Sequence, residues 1–214
     1  RHADYPLLIP LNVAWGWEVL GNETLRIPMV QSILFTFATI MLMFSTLTVT
    51  RSVGQASLAS VILMGISGIV VSGTNLIADV PVTYFMLAAG ILMYLFAQRN
   101  EFPLLILSGF MAGLAGWTKN EGLLFIALSP FALIAASPTN IKRSFIHYLA
   151  GLMIPLLVIL YFKSLAPTND IMVDSGVSLF EKVTDPARYA LILRSFAAEV
   201  FSRESLFLFF YTLI

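Results

Sequence analysis

The sequence predicts an all-α protein, a polytopic bundle of transmembrane helices with short external amphipathic helices. Its composition is the first reason, since 58% of the 214 residues are hydrophobic and only 11% are charged. An average globular protein carries about 25% charged residues. Twelve Lys and Arg with twelve Asp and Glu are too few to cover the surface of a water-soluble fold of this size. The chain is therefore predicted to lie in a bilayer.

The second reason is the spacing of the charges between Ile27 and Phe162, which leaves six uncharged intervals. These are 27–50, 52–78, 80–98, 102–118, 122–141 and 144–162. Each comes close to the ~20 apolar residues that cross a hydrocarbon core of about 30 Å. None of them shows the polar stripe of a helix that packs on a soluble core. We predict six transmembrane helices, with the start of a seventh near Ser205.

The charge clusters between these intervals alternate between the two faces of the membrane. One face receives Arg51, Arg99, Lys142 and Arg143, and the other receives Asp79, Lys119 and Glu121. The first face carries four basic residues. The second face carries one, or three when the flanking Arg26 and Lys163 are counted. The positive-inside rule makes the first face cytoplasmic. The second face is then external or luminal.

Four segments follow from this topology. They are an external loop with an interfacial helix at 1–28, the transmembrane bundle at 29–165, an external loop with an amphipathic helix at 166–204, and the start of a further span at 205–214. The apolar stripes of the two external helices suit either packing on the membrane surface or contact with a substrate. No Met opens the chain, and its last residues, Leu206 to Ile214, are still apolar where the sequence stops. We therefore expect it to be an internal piece of a longer protein.

Small residues predict where the helices approach one another closely. Gly109, Gly113 and Gly116 follow the small-xxx-small spacing that lets transmembrane backbones touch. Gly65, Gly68 and Gly73 are expected to do the same in the preceding hairpin. These positions indicate a compact bundle and no particular function.

Two ionisable positions at span boundaries are candidates for chemistry. Asp79 precedes Val80-Pro81 and suits the start of a helix, or it is a surface carboxylate that holds a divalent cation or a phosphate-bearing donor. Lys119 either reaches the membrane interface, with Glu121 as its solvated partner, or contacts a donor phosphate with Asn120 adding hydrogen bonds.

Asp4 is the third candidate, because it and His2 could ligate a metal, although two residues alone form no site and a surface loop is the simpler interpretation. A cation at Asp4 or Asp79 would be Mg²⁺ or Mn²⁺, and no other cofactor is predicted. The balanced net charge excludes a nucleic-acid partner. No Gly-rich phosphate loop, nucleophile elbow or His-Glu-x-x-His motif occurs.

Three stretches taken together resemble the GT-C glycosyltransferases, in particular those of the protein O-mannosyltransferase and aminoarabinose-transferase type. They are His2-x-Asp4-Tyr5-Pro6-Leu7-Leu8, Ala78-Asp79-Val80-Pro81, and Gly113-Leu114-Ala115-x-x-Thr118-Lys119-Asn120-Glu121-Gly122. Their order and separation match that family over roughly residues 1–165. Tyr5-Pro6 replaces the paired prolines common there, which leaves the subfamily open.

The resemblance implies a multi-pass membrane enzyme that moves a sugar from a polyprenyl-phosphate carrier to a lipid, protein or glycan acceptor on the external or luminal face. It places Asp79, Lys119, Asn120 and Glu121 on the donor side, with Asp79 beside the donor phosphate or a metal. The family's catalytic base is expected upstream of this chain, so the catalytic residue is unknown and Asp4 is a weak candidate for it.

The membrane implied is the inner cell membrane of a prokaryote or the endoplasmic reticulum of a eukaryote, and membrane lipids are the surrounding partners. Two other functions stay open at this point. A transporter or flippase of a lipid-linked substrate would need a polar path through the span centres, which carry no charge, although Pro130 and Pro155 could break two helices. A non-catalytic membrane subunit would tolerate the loss of Asp79.

Overall fold

The computed structural model describes residues 5–75, 77–136, 140–165 and 184–200, where all the regular structure is helical. The helices are α1 (Leu8–Leu20), α2 (Arg26–Thr50), α3 (Val53–Gly65), α4 (Ser67–Thr74), α5 (Asp79–Arg99), α6 (Phe102–Thr118), α7 (Asn120–Ala136), α8 (Ile141–Leu165) and α9 (Pro186–Val200). Helices α1 to α8 belong to one compact unit, Tyr5–Ala166, and α9 belongs to a second. Asp4, the loop 166–183 and the predicted further span at 205–214 lie outside the described residues. The predicted all-α membrane bundle is confirmed.

Three helices of the described ranges are long and apolar enough to cross a bilayer, namely α2, α5 and α8. Helices α6 and α7 are apolar but have 17 residues each, which at ~1.5 Å per residue gives about 25 Å. That length is at the lower end of what a membrane span requires. The predicted intervals 27–50, 80–98, 102–118 and 144–162 each coincide with one helix to within three residues. The count of six spans stays a prediction.

Helix α5 shows why charges mark the helix ends in this chain. Asp79 lies in its first turn and Arg99 in its last, so each charge complements the nearby end of the helix dipole. Asn100 then takes the left-handed conformation at φ 55°, and its N–H donates to the Phe96 carbonyl at 2.7 Å. Asn tolerates this conformation better than most residues. The chain can therefore reverse within a few residues and start α6.

The predicted interval 52–78 is wrong as a single helix. The structure breaks it at Ile66, whose backbone is extended at φ −74° and ψ 109°, into α3 and α4. Gly65 and Gly68 flank the break, and Gly is the poorest helix former after Pro. By contrast, Pro130 and Pro155 lie inside continuous helices, so the breaks considered there do not occur.

The crossing of α6 and α8 forms the tightest part of the bundle. A Cβ added to Gly109 would lie 1.9 Å from the Tyr148 carbonyl oxygen, and one added to Gly151 would lie 1.7 Å from that of Ile106. The close approach predicted at Gly109, Gly113 and Gly116 is confirmed, since each contacts a neighbouring helix. The core around the crossing comprises Ala89, Met93, Phe96, Leu105, Ala112, Leu133, Tyr148 and Leu152.

Helix α2 lies at the edge of the bundle with its polar side inward. Its buried residues are Ser32 and Thr39, whereas Leu34 and Phe37 are exposed. The Ser32 hydroxyl donates to the Gly73 carbonyl of α4, and a Cβ on Gly73 would lie 2.7 Å from the Thr36 hydroxyl oxygen. The predicted close packing is therefore confirmed at Gly73 but is wrong for Gly65, where a Cβ would meet nothing within 4 Å. Apolar side chains that point outward suit a lipid environment.

Helices form at both positions where external helices are predicted, as α1 and α9, and their external location stays a prediction. Helix α1 has no buried residue, and its Trp15 is 71% exposed. In α9, the apolar stripe that includes Ile192, Leu193 and Phe196 is exposed as well. Both helices carry the apolar surface that an interfacial helix presents to the membrane.

Candidate functional site

Four helix ends meet at one end of the bundle and bring charged residues together. The Lys119 ammonium between α6 and α7 donates to Asp79 Oδ1 at the start of α5, at 2.5 Å, and lies 3.1 Å from Glu121 Oε1. Lys163 near the end of α8 donates to Asn120 Oδ1 at 3.0 Å. We call Asp79, Lys119, Asn120, Glu121 and Lys163 the charged corner.

The opposite end of the same helices has different chemistry. There the Arg143 guanidinium lies over the Phe102 ring, 4.2 Å from the ring centroid. The centroid of the His147 ring lies 4.8 Å from that of Phe102. These contacts join the start of α6 to the start of α8. The alternation of charge clusters along the sequence therefore corresponds to two distinct ends of the bundle.

The turn that presents Lys119 depends on Gly122. Lys119 has an extended backbone at φ −155° and ψ 154°, its N–H donates to the Ala115 carbonyl at 3.1 Å, and its carbonyl accepts from the Gly122 N–H at 2.9 Å. A Cβ on Gly122 would lie 2.1 Å from the Ala115 carbonyl oxygen. The backbone leaves no room for a side chain there, so Gly122 lets α7 start directly against the end of α6.

The surroundings of Lys119 keep it charged. Its side chain is only 21% exposed, and burial alone lowers the pKa of an ammonium group. The hydrogen bonds and negative charges of Asp79 and Glu121 outweigh that effect and raise the pKa of Lys119 above its ordinary value of 10.5. The site therefore holds a permanent cation between two carboxylates at neutral pH.

Asp79 lies at a helix start, as its sequence context predicted, and its predicted role toward a cation or a donor stays a prediction. It is the first residue of α5, and its backbone carbonyl accepts from the Thr83 hydroxyl at 2.7 Å. No side-chain cap bond forms at this helix start. The carboxylate instead faces Lys119 and is 42% exposed, so it is accessible as well as paired.

A cavity of about 340 Å³ opens beside Asp79. Its lining residues come from α2, the break at Ile66, α4 and the first turn of α5, and they are Thr39, Ile66, Gly68, Ile69, Ser72, Asp79, Val80 and Thr83. The break in the predicted span thus forms one wall of the cavity. The sequence patterns did not predict it, because a single helix through 52–78 would leave no such recess.

The structure brings four of the predicted site residues together, namely Asp79, Lys119, Asn120 and Glu121. Asp4 lies outside the described residues. Lys163 was missed as a site residue, because a lysine at the end of an apolar interval is typical of membrane anchoring. The available signal was that Lys163 belongs to the same face as Lys119 in the charge alternation.

The carboxylates of the charged corner are occupied by Lys119 rather than grouped with other metal-ligand types. Both nearby carboxylates, Asp79 and Glu121, contact Lys119, and within the described ranges no three potential His, Cys, Asp or Glu ligands lie together. A divalent cation at Asp79 would need Lys119 to leave it. The metal-binding roles of Asp79 and Asp4 stay predictions.

Comparison with known proteins connects this geometry to a family. The family model described as dolichyl-phosphate-mannose-protein mannosyltransferase matches residues 4–162. The matched part contains the charged corner except Lys163 and extends over most of the bundle. No curated protein and no solved structure matched the chain. Because the family model covers well over half of the sequence, the chain belongs to the dolichyl-phosphate-mannose-protein mannosyltransferase family, whose members are membrane glycosyltransferases.

Proposed function

We propose that this chain is the donor-binding part of an enzyme that transfers a sugar from a polyprenyl-phosphate carrier to a lipid, protein or glycan acceptor on the external or luminal face. The observation that carries the proposal is the ion-pair cluster of Asp79, Lys119 and Glu121 beside an apolar-walled cavity. The family description, which names dolichyl-phosphate mannose, supports mannose as the sugar.

The charged corner suits the phosphate of such a donor. A lysine ammonium is a compact point charge that binds phosphate oxygens, and Lys119 keeps its charge because of its two carboxylate partners. Asp79 and Glu121 orient the ammonium before the donor arrives. A phosphate oxygen can then replace one carboxylate oxygen at Lys119 without any change in the charge of the lysine.

The adjoining cavity suits the carrier lipid. Its walls are largely aliphatic, with the hydroxyls of Thr39, Ser72 and Thr83 at intervals. Ligand pockets of about 300–1,000 Å³ are typically apolar with a few polar groups that fix orientation. An isoprenoid chain placed there would leave its phosphate at the level of Asp79, where the cavity meets the charged corner.

The reaction that these residues would support is an inverting displacement. The acceptor hydroxyl oxygen bonds to the anomeric carbon, the bond from that carbon to the phosphate oxygen breaks, and the carrier phosphate leaves with the bonding electrons. A carboxylate takes the hydroxyl proton, a step worth about 10²–10⁴-fold in rate. Lys119 stabilises the charge of the departing phosphate. The catalytic base is expected upstream of this chain, with Asp4 as a weak candidate, and no described residue is assigned to that step.

A transporter or flippase of a lipid-linked substrate is the second candidate function. The break at Ile66, beside the cavity, is of the kind that discontinuous transporter helices show at their substrate sites. Family membership favours the transferase. The two functions differ in what they produce, because a transferase yields a glycosylated acceptor and a free carrier phosphate, whereas a flippase moves an intact donor.

The Asp79→Asn variant of the full-length protein tests the proposal. The neutral amide cannot form an ion pair with the Lys119 ammonium, so this group is held less firmly in position, and misplacement by about 1 Å costs about 10²-fold in rate. We expect transfer from dolichyl-phosphate mannose to a Ser/Thr-containing peptide, measured with radiolabelled sugar, to fall by about 10²-fold at normal expression and membrane insertion.

Glu101→Gln is the matched control, because it removes a carboxylate from the turn between α5 and α6, at the other end of the bundle, and should leave transfer unchanged. Full turnover by the Asp79→Asn variant would remove Asp79 from the mechanism. It would also support a non-catalytic or transport role for the chain.

A further inference from the structure

Helix α8 has two sides with different surroundings. Ser144, Tyr148 and Leu152 are buried, and the last two lie against Gly109 of α6. In a helix with roughly 3.6 residues per turn, the opposite side carries another row of residues. These are exposed, they are Lys142, Ile146, Leu149 and Met153, and we call them the outer face of α8. One side of the helix therefore joins the bundle, and the outer face points away from it.

The outer face begins with a cation and continues with apolar side chains. Met153 follows Lys142 by eleven positions, which at ~1.5 Å per residue is a distance of about 16 Å. One leaflet of a bilayer contributes half of a hydrocarbon core of about 30 Å. The outer face thus fits the depth of one leaflet, with the ammonium at the level of the lipid headgroups and the apolar side chains among the acyl chains.

An open groove of about 390 Å³ lies beside Lys142. Ile141, Phe145 and Ile146 line the rest of it, so the walls are apolar except for the lysine. Ligand pockets typically combine apolar walls with a few polar groups that fix the orientation of the ligand. This groove suits an acyl chain that lies along α8 and whose headgroup reaches the ammonium.

The end of the bundle that contains this groove is positively charged. Helices α2 and α5 end there at Arg51 and Arg99, and α8 begins there, next to Lys142 and Arg143. With Glu101 in the turn after α5, four basic residues and one carboxylate give these positions a formal charge of +3. No ion pair within the described ranges joins Lys142 or Arg143 to a carboxylate. The groove therefore complements an anionic headgroup.

We propose that this groove binds an anionic glycerophospholipid whose phosphate contacts Lys142 and Arg143. The acyl chain lies against Phe145 and Ile146. The Arg143 guanidinium lies 4.2 Å from the centroid of the Phe102 ring, and this neutral ring holds the group in place without cancelling its charge. Basic pockets at the cytoplasmic ends of membrane helices bind anionic headgroups by the same chemistry. The inference goes beyond the proposed sugar transfer, which involves the other end of the bundle.

Membrane anchoring by Lys142 is the simpler interpretation, and it makes a different prediction. A lysine at the end of a span reaches the phosphate of any phospholipid, so anchoring alone gives no preference for an anionic lipid. It also makes Lys142 equivalent to the other basic residues at that end. Arg51 is one of these, and it does not line the groove.

The experiment measures lipid binding to the full-length protein in detergent by native mass spectrometry. The probes are phosphatidylglycerol, which is anionic, and phosphatidylcholine with the same acyl chains, which is zwitterionic. A basic residue near an anionic membrane surface strengthens binding about fivefold. We expect the wild type to prefer phosphatidylglycerol, and Lys142→Gln to weaken phosphatidylglycerol binding about fivefold without changing phosphatidylcholine binding. Lys142→Arg should restore it, and Arg51→Gln, the matched control, should leave both affinities unchanged.

Three outcomes would overturn the inference. A wild type without preference for phosphatidylglycerol would exclude an anionic lipid as the ligand. Equal losses of phosphatidylglycerol binding in Lys142→Gln and Arg51→Gln would show a diffuse attraction to the charged end rather than a site in the groove. A dimer in the spectra that disappears with Ile146→Trp would assign the outer face of α8 to a second copy of the chain.

Discussion

Glycines allow close helix packing in one region of this bundle and flank a helix break in another. At the crossing of α6 and α8, Gly109 and Gly151 each face the backbone of the other helix, with no space for a methyl group. At the break between α3 and α4, a Cβ on Gly65 would meet nothing within 4 Å, and one on Gly68 would meet only Ile66 at 4.0 Å. The same residue type therefore serves close packing in the first region and a change of chain direction in the second.

The two regions also differ in how their polar groups are satisfied. Near the crossing, the Ser108 hydroxyl donates to the Ala89 carbonyl at 2.8 Å and the Tyr148 hydroxyl donates to Ser129 at 2.7 Å. In α2 and α3, the buried Thr48 and Ser60 hydroxyl oxygens lack a hydrogen-bond partner among the described residues. Unmade buried hydrogen bonds and a cavity lower local stability. We therefore expect the α6–α8 crossing to be the more stable region and α2 to α4 to be the less stable one.

The largest expected effect is on the stability of the α6–α8 crossing. Gly109→Ala should destabilise the bundle by about 3 kcal/mol, because a Cβ there lies 1.9 Å from a backbone oxygen and overpacking of this kind cannot be relieved by a side-chain rotation. The measurement is thermal unfolding in detergent, monitored as the fraction of protein that remains monodisperse after heating.

Gly90→Ala is the control for that variant. Gly90 also lies inside a long helix, α5, but a Cβ there would meet nothing within 4 Å. The higher helix propensity of Ala should then leave stability unchanged or raise it by up to about 1 kcal/mol. Equal changes in thermal stability for Gly109→Ala and Gly90→Ala would contradict the distinction between the tight α6–α8 crossing and an open helix position.

A smaller effect is expected from filling the cavity. Gly68→Leu places an aliphatic side chain into a recess lined by Ile69 and Thr83, where it should cause little strain. If the carrier lipid uses this recess, the donor KM should rise about tenfold, a typical cost of a small steric change in a pocket, while thermal stability stays the same or increases. Gly54→Leu, at an open position near the start of α3, is the matched control. A normal donor KM for Gly68→Leu would place the carrier elsewhere.

The smallest effect is expected from pH at the charged corner. The pKa of Lys119 is raised above 10.5, so the stabilisation from its ion pairs is fully present below pH 10.5 and is lost as pH rises through the higher folded-state pKa. The stability difference between the wild type and Lys119→Gln should stay constant from about pH 7 to 9 and shrink only above pH 10.5. A difference that disappears near neutral pH would contradict the assigned charge state. Thermal unfolding across this pH range measures it.

Most helix positions were predictable because charges cannot lie in the hydrocarbon core. That constraint ends α5 at Asp79 and Arg99 regardless of what the helix packs against. The break at Ile66 was not predictable by the same reasoning, because residues on both sides of it are apolar and carry no charge. Gly65 and Gly68 permit the break, but many transmembrane glycines permit close packing instead, as Gly109 does.

The candidate site likewise combines one contact that the sequence predicted with one that it did not. Alternation of the charge clusters predicted that Asp79 and Lys119 emerge at one end, and their 2.5 Å contact confirms it. The bond between Lys163 and Asn120 depends on how far α8 is rotated about its axis and how closely it lies against α6. No short sequence pattern encodes that rotation, which results from the contacts of Gly109 and Gly151 along the whole crossing.

By itself, the sequence determined that this chain is a helical membrane protein and which charges share an end, because the cost of placing charge in lipid acts on each segment separately. Only the tertiary structure decided which of those charges touch, where a span breaks and where a cavity opens. These features depend on contacts between segments distant in the chain, and such contacts are set by packing rather than by composition.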